Sequence, residues 1–251
     1  MAVNRDFTKN YNLQGGELYI KLSNETNFRY FGQTNEFKLN FKSTKLEHKN
    51  SEGNTIVTDM EVTKEVESNV SFTTDDLNKE TLAIAFSGTA TVVSQSAGSI
   101  TDEVIAGVAG GLVYELSKNK VSNVIVKDSD DNEYEENVDY SINYIFGTIE
   151  ITTGGALDSK DLKISFDYDA TKITNLSSLD ETSREFSLKF VSNPQNGQPK
   201  QTTVHKVRLA MNGDYALKDL DKYGSIAFDG KVLKDDTKPD GKQFVETVII
   251  G

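Results

Sequence analysis

The sequence predicts an all-β protein with one short α-helix, arranged as a two-sheet β-sandwich or barrel that carries a small inserted β domain. Three observations lead there. The 251 residues include 13 Phe and 10 Tyr, and these recur with β-branched residues at every second position in several segments, the pattern of half-buried strands. Turn residues separate the segments, as at Asp128 to Asn132, Gly147, Gly154-Gly155 and Asn193 to Pro199. Only one stretch carries a helical stripe. A chain this long can bury one large core or two smaller ones.

The first strand is Gly16 to Leu22, after a polar arm over residues 1–15. Residues 36–42 alternate, with Phe37, Leu39 and Phe41 on one face and Glu36, Lys38, Asn40 and Lys42 on the other. A polar stretch from Ser43 to about Asn54 shows no apolar period and reads as a long loop. In Glu61 to Phe72, uninterrupted alternation would turn Val62, Val66, Val70 and Phe72 to the core and place Glu61, Glu65 and Glu67 together on the opposite face. The helix follows: Thr74 can cap it, Asp75 and Asp76 suit its positive end, and Leu77, Leu82, Ala83, Ala85 and Phe86 supply a stripe ended by Gly88.

Residues 91–111 are rich in small side chains and read as a linker. Residues 112–181 read as an inserted β-rich block, with strands at Val124 to Val126, Tyr140 to Ile145, Thr148 to Ile151 and Leu162 to Tyr168. Clean alternation returns at 185–190, where Phe186, Leu188 and Phe190 face inward and Glu185, Ser187 and Lys189 outward. Thr203 to Leu209 pairs back, followed by Gly224 to Leu233 and a closing strand over Phe244 to Ile250. The core domain is therefore 1–90 with 182–251. The pattern Phe-x-Leu-x-Phe occurs at 37–41 and again at 186–190.

The inventory excludes much chemistry. With no cysteine there is no disulfide, thiol nucleophile or thiolate metal site. A net charge of −12 argues against tight nucleic-acid binding, which depends on neutralising phosphates with Lys and Arg. The longest apolar run, Val104 to Tyr114, is too short to span a bilayer. His48 and His205 are the two histidines, and neither sits in a nucleophile or zinc motif. His205 alternates with Val207 and Leu209, which predicts a partly buried sheet histidine. Asp128, Asp130 and Asn132 imitate the start of a calcium loop, but Glu133 stands where such a loop turns on glycine, and an acidic turn is the favoured reading. Asp235, Asp236 and Asp240 form a similar turn. No catalytic residue, metal ligand or cofactor is expected, and the chain is read as a non-enzyme.

The arrangement resembles the major tail tube proteins of long non-contractile-tailed bacteriophages. The resemblance lies in Gly16 to Ile20, Glu36 to Phe41, the Glu61 to Phe72 strand running into Asp75 to Ala85, Val204 to Leu209, Gly224 to Leu233 and Phe244 to Val248, and covers roughly 1–90 and 182–251. It implies a virion structural protein that self-assembles into hexameric rings stacked as a tube, through which DNA passes without specific binding. It implies further partners in the tape-measure, terminator and tail-tip proteins, no membrane insertion of its own, and assembly in the host cytoplasm. Glu36, Lys38, Glu61, Glu65, Glu67 and Lys189 become candidates to line the lumen. Ser43, Lys45, Glu47, His48, Lys49, Glu52 and Asn54 become a ring-stacking loop that orders on docking, and Asn4, Arg5, Phe7 and Tyr11 an interface in the N-terminal arm. The insert would decorate the outside. A tube subunit of a phage-derived injection device or an Ig-like adhesin domain are the alternatives.

Overall fold

A computed structural model describes residues 13–250. In chain order they form β1 (Leu13–Leu22), β2 (Arg29–Tyr30), β3 (Thr34–Asn50), β4 (Val57–Thr74), α1 (Lys79–Ala85), β5 (Ala90–Gln95), β6 (Gly98–Ile105), β7 (Val113–Glu115), β8 (Val121–Asp128), β9 (Glu133–Tyr134), β10 (Tyr140–Asn143), β11 (Thr148–Ile151), β12 (Leu162–Tyr168), β13 (Thr171–Leu176), β14 (Phe186–Asn196), β15 (Lys200–Met211), β16 (Ile226–Val232) and β17 (Val245–Ile249). The protein is all-β with a single short helix. It divides into two compact units, 1–90 with 176–251 and 91–175.

The first unit is built on one eight-stranded sheet in the order β2-β1-β14-β15-β16-β4-β3, with β17 added to β15. Alternation places Leu18 and Ile20 of β1, Leu188 of β14, Val70 and Phe72 of β4 and Phe228 of β16 on one face, all fully buried. The sheet rolls so that its far strands share this core. Phe37 of β3 stacks on Phe190 of β14 with ring centroids 5.5 Å apart, so the two Phe-x-Leu-x-Phe segments meet face to face. Phe72 stacks on Phe228 at 5.1 Å, and Phe31 meets both rings edge-on at 5.2 and 5.9 Å, the offset and T-shaped geometries that ring quadrupoles favour. Helix α1 adds Ile84 and Ala85 to the same cluster. Its N-cap is Asn78, whose side chain accepts from the amides of Glu80 and Thr81. Thr74 ends β4 instead, donating its hydroxyl to the Gln33 carbonyl at 2.6 Å. At the other end Ser87 takes the left-handed conformation, and Gly88 serves a close approach: a Cβ there would lie 1.9 Å from the Ser177 carbonyl oxygen.

The second unit has its own core around Val126, Ile149, Leu157, Leu162 and Ile164. A four-stranded sheet β6-β12-β8-β9 and a three-stranded sheet β10-β11-β7 supply it. Residues 91–111, which read as a linker, belong to this unit: they form β5 and β6, and β6 pairs with β12. Their periodicity is weak because β5 and β6 keep mostly exposed or half-buried side chains. Residues 176–181 belong with the first unit. The Tyr140–Ile145 strand ends at Asn143, where a turn closed by Gly147 in the left-handed region begins.

The largest departure from the sequence pattern is at 43–57. The stretch that reads as a polar loop is strand: β3 and β4 continue as a two-stranded arm whose turn is confined to 51–56. β16 pairs with β4 only over Asn69–Thr74, so among the described residues the strands beyond Lys42 and Glu67 pair only with each other. Such an arm has water on both faces, and its strands have no reason to alternate. Phe41, Val62 and Val66, expected in the core, are 63, 55 and 68% exposed for the same reason.

Candidate functional site

None of the arm's side chains beyond Lys42 and Glu67 belongs to the buried core of the first unit. At about 3.4 Å per residue, its nine residues of β3 from Lys42 to Asn50 extend roughly 30 Å. Two irregularities decide which way its side chains point. Thr44 pairs with Glu65 but Lys45 with Thr63, so Lys64 is a bulge, and a second shift between His48 and Lys49 bulges Asp59. The first bulge reverses the parity of β4. Glu65 and Glu67 stay with Lys42 and Thr44 on the face away from the core, whereas Glu61 moves to the face of Ser43, Lys45 and Glu47. The three glutamates therefore do not share a face, as they would on a regular strand.

The same reversal sorts the apolar residues. Leu46 lies opposite Val62 and His48 opposite Met60 on the Glu65 face, and Ser43 lies opposite Val66 on the other. Leu46, Met60 and Val62 are 65, 62 and 55% exposed. The Glu65 face of the arm thus presents an apolar cluster to water, and the other face only Val66.

Part of that charge is paired. Lys45 meets Glu61 at 2.5 Å, His48 Nδ1 meets Asp59 at 2.6 Å, and Lys38 bonds Glu36. Glu67 accepts from Lys231 of β16 at 2.8 Å, which holds its carboxyl below the ordinary value. Of the lumen candidates, Glu36, Lys38, Glu65 and Glu67 share the sheet face turned from the core, with Glu61 opposite. Lys189 is on β14, with its ammonium over the Phe28 ring at 4.5 Å. The ring-stacking candidates Ser43, Lys45, Glu47, His48 and Lys49 are strand residues of the arm, and Glu52 and Asn54 occupy its tip. Asn4, Arg5, Phe7 and Tyr11 lie outside the described residues.

Open sheet edges accompany the arm. Among the described residues, no strand covers the outer edges of β3, of β17 or of β1 before Tyr19. Near the β1 and β3 edges a cleft of about 380 Å³ is lined by Gly16, Asn35, Phe37 and Phe190.

The acidic turn of the second unit is self-contained. Asp128 accepts from the amides of Asp130 and Asn132, from the Tyr134 hydroxyl at 2.8 Å and from Lys160 Nζ at 2.8 Å. These donors, Lys160 first and Asn132 next, hold its carboxyl far below the usual range. The carboxylate braces a turn, with its lone pairs already engaged.

An aromatic-cored sheet bearing an exposed two-stranded arm, with a second β unit inserted in the chain, defines an all-β protein whose exposed features include strand edges and an apolar arm face. The chain belongs to the family described as "Protein of unknown function UCP028589", whose model matches residues 11–246. No curated protein matches it.

Proposed function

We propose that this chain is a structural subunit that self-assembles into stacked rings, hexameric as in the phage tail tube proteins it resembles, to form the tube through which a bacteriophage tail ejects DNA. The observation that carries this reading is the β3–β4 arm. A monomer gains nothing from about 30 Å of hairpin with Leu46, Met60, Val62 and Val66 in water, whereas an assembly buries them. The edges of β1, β3 and β17 that no strand among the described residues covers support the same conclusion, because edges left open invite uncontrolled pairing unless a partner covers them.

Self-association is also compatible with the charge. Ion pairs such as Glu67–Lys231 and Lys45–Glu61 lower the repulsion between copies of an acidic chain. Carboxylates left facing a lumen repel DNA phosphates within a Debye length of about 8 Å. The resemblance extends the proposal to a place in the virion tail and to tape-measure, terminator and tail-tip partners.

Negative-stain microscopy of concentrated protein tests it. Rings or hollow tubes are expected. Discrete monomers at every concentration, ionic strength and temperature tried would rule the assembly out.

A further inference from the structure

On the first unit, the sheet face turned from the core is not uniformly open. Where β1, β14 and β15 run side by side, Lys21, Lys189 and His205, together with Phe28 and the 235–238 segment, enclose a cavity of about 400 Å³. His205 reaches it through a bulge. Pairing steps from Phe186 with Val207 to Leu188 with Val204, so β15 has one more residue than β14 over this interval. Val204 and Val207, three positions apart, both face the core and His205 is turned to the other side. The backbone there is fixed: the Ser187 hydroxyl donates to the His205 carbonyl at 2.6 Å, and the His205 amide donates to the Phe244 carbonyl at 3.0 Å.

The imidazole is 10% exposed, and among the described residues its Nε2 has no hydrogen-bond partner. The nearest carboxylate oxygen, of Glu246, is 3.9 Å away, outside hydrogen-bond range. A polar atom buried this far without a partner is costly. Burial, reinforced by the charge of Lys238, pushes the ring below the ordinary imidazole value.

The surrounding charge is opposite to that of the chain. Four lysines line the cavity against two carboxylates, Glu185 and Asp235. Both acids are committed: Glu185 to Lys206 and Arg208, each at 2.9 Å, and Asp235 to the Thr237 hydroxyl at 2.7 Å. The Lys21 and Lys189 ammoniums lie over the Phe28 ring at 5.3 and 4.5 Å. Lys189 and Lys238 make no ion pair among the described residues.

We propose that this cavity binds a phosphate group, free or as a small monoester, with Lys189 and Lys238 supplying the countercharge. Nothing in this depends on assembly into tubes. The test is a titration of the full chain with inorganic phosphate and, separately, with O-phosphoserine, followed by the ring resonances of His205 and by calorimetry, with chloride at matched ionic strength as the control. Saturable binding of either phosphate is expected, and the arm that binds identifies the source. Lys189→Gln and Lys238→Gln should each weaken it about tenfold, the loss of one charge-assisted hydrogen bond. Lys231→Gln, outside the cavity, should leave it unchanged. No saturable response to either phosphate, an equal response to chloride, or unchanged affinity in both cavity variants would overturn the proposal.

Discussion

Replacing Leu46, Met60 and Val62 together by threonine isolates what the arm contributes. Threonine keeps the β-propensity of the strands, so the arm should keep its register. The three side chains are 55 to 65% exposed, so little of their surface is buried in the monomer. Surface changes of this kind alter stability by no more than about 0.5 kcal/mol each. Fully burying such a side chain is worth about 1.5–3 kcal/mol, and the exposed share of that is roughly 1–2 kcal/mol each, or about 4 kcal/mol for the three together. The concentration needed for assembly should therefore rise by about three orders of magnitude, while the monomer's unfolding temperature barely moves. Light scattering against concentration measures the first quantity and thermal denaturation of dilute protein the second. A triple variant that assembles at the wild-type concentration would show that this face of the arm is not a contact.

Further outcomes can be stated from single sites. Gly147→Ala should destabilise the second unit by roughly 2 kcal/mol or more, since a side chain there is held in the left-handed region and meets the Lys118 carbonyl oxygen at 1.9 Å; denaturant unfolding followed at residues of that unit measures it. Phe72→Ala, which removes the ring in contact with Phe31, Phe37 and Phe228, should cost about 3–5 kcal/mol in the first unit. Asp128 gives the pH dependence. Its carboxyl is depressed in the folded state, so its contribution is complete above the usual value of 3.8 and is lost as pH falls below it. The protection factor at Ile149, referred to the intrinsic exchange rate at each pH, should fall on acidification, and in Asp128→Asn it should be lower near neutrality but fall less steeply in acid. Parallel acid profiles in the two proteins would refute that role.

Strands with one buried face were legible from their pattern. Leu162–Tyr168 and Phe186 to Phe190 alternate because each second residue enters a core, and both lie where alternation puts them. The arm carried no such signal, since strands solvated on both faces are free to be polar throughout. Bulges were equally silent: Lys64 is an ordinary strand residue, yet it moves Glu61 away from Glu65 and Glu67. His205 is the partly buried sheet histidine its spacing predicts, although the extra residue in β15 turns it to the face opposite Val207. Asn78 was hidden as the helix cap by the more prominent Thr74 and the two acids after it, whose positions precede the helix. Of the assembly candidates, the sequence located the residues of the hairpin but not their strand pairing or their ion pairs.

The chain leaves the first unit at Ala90 and comes back at Leu176, along two strands, β5 and β13, that are hydrogen-bonded neighbours. Everything between them is a detour whose two ends already touch. Such a junction accepts replacement: a fluorescent protein, an enzyme or an epitope with adjacent termini could be spliced in place of 91–175 with the parent sheet's strand order intact.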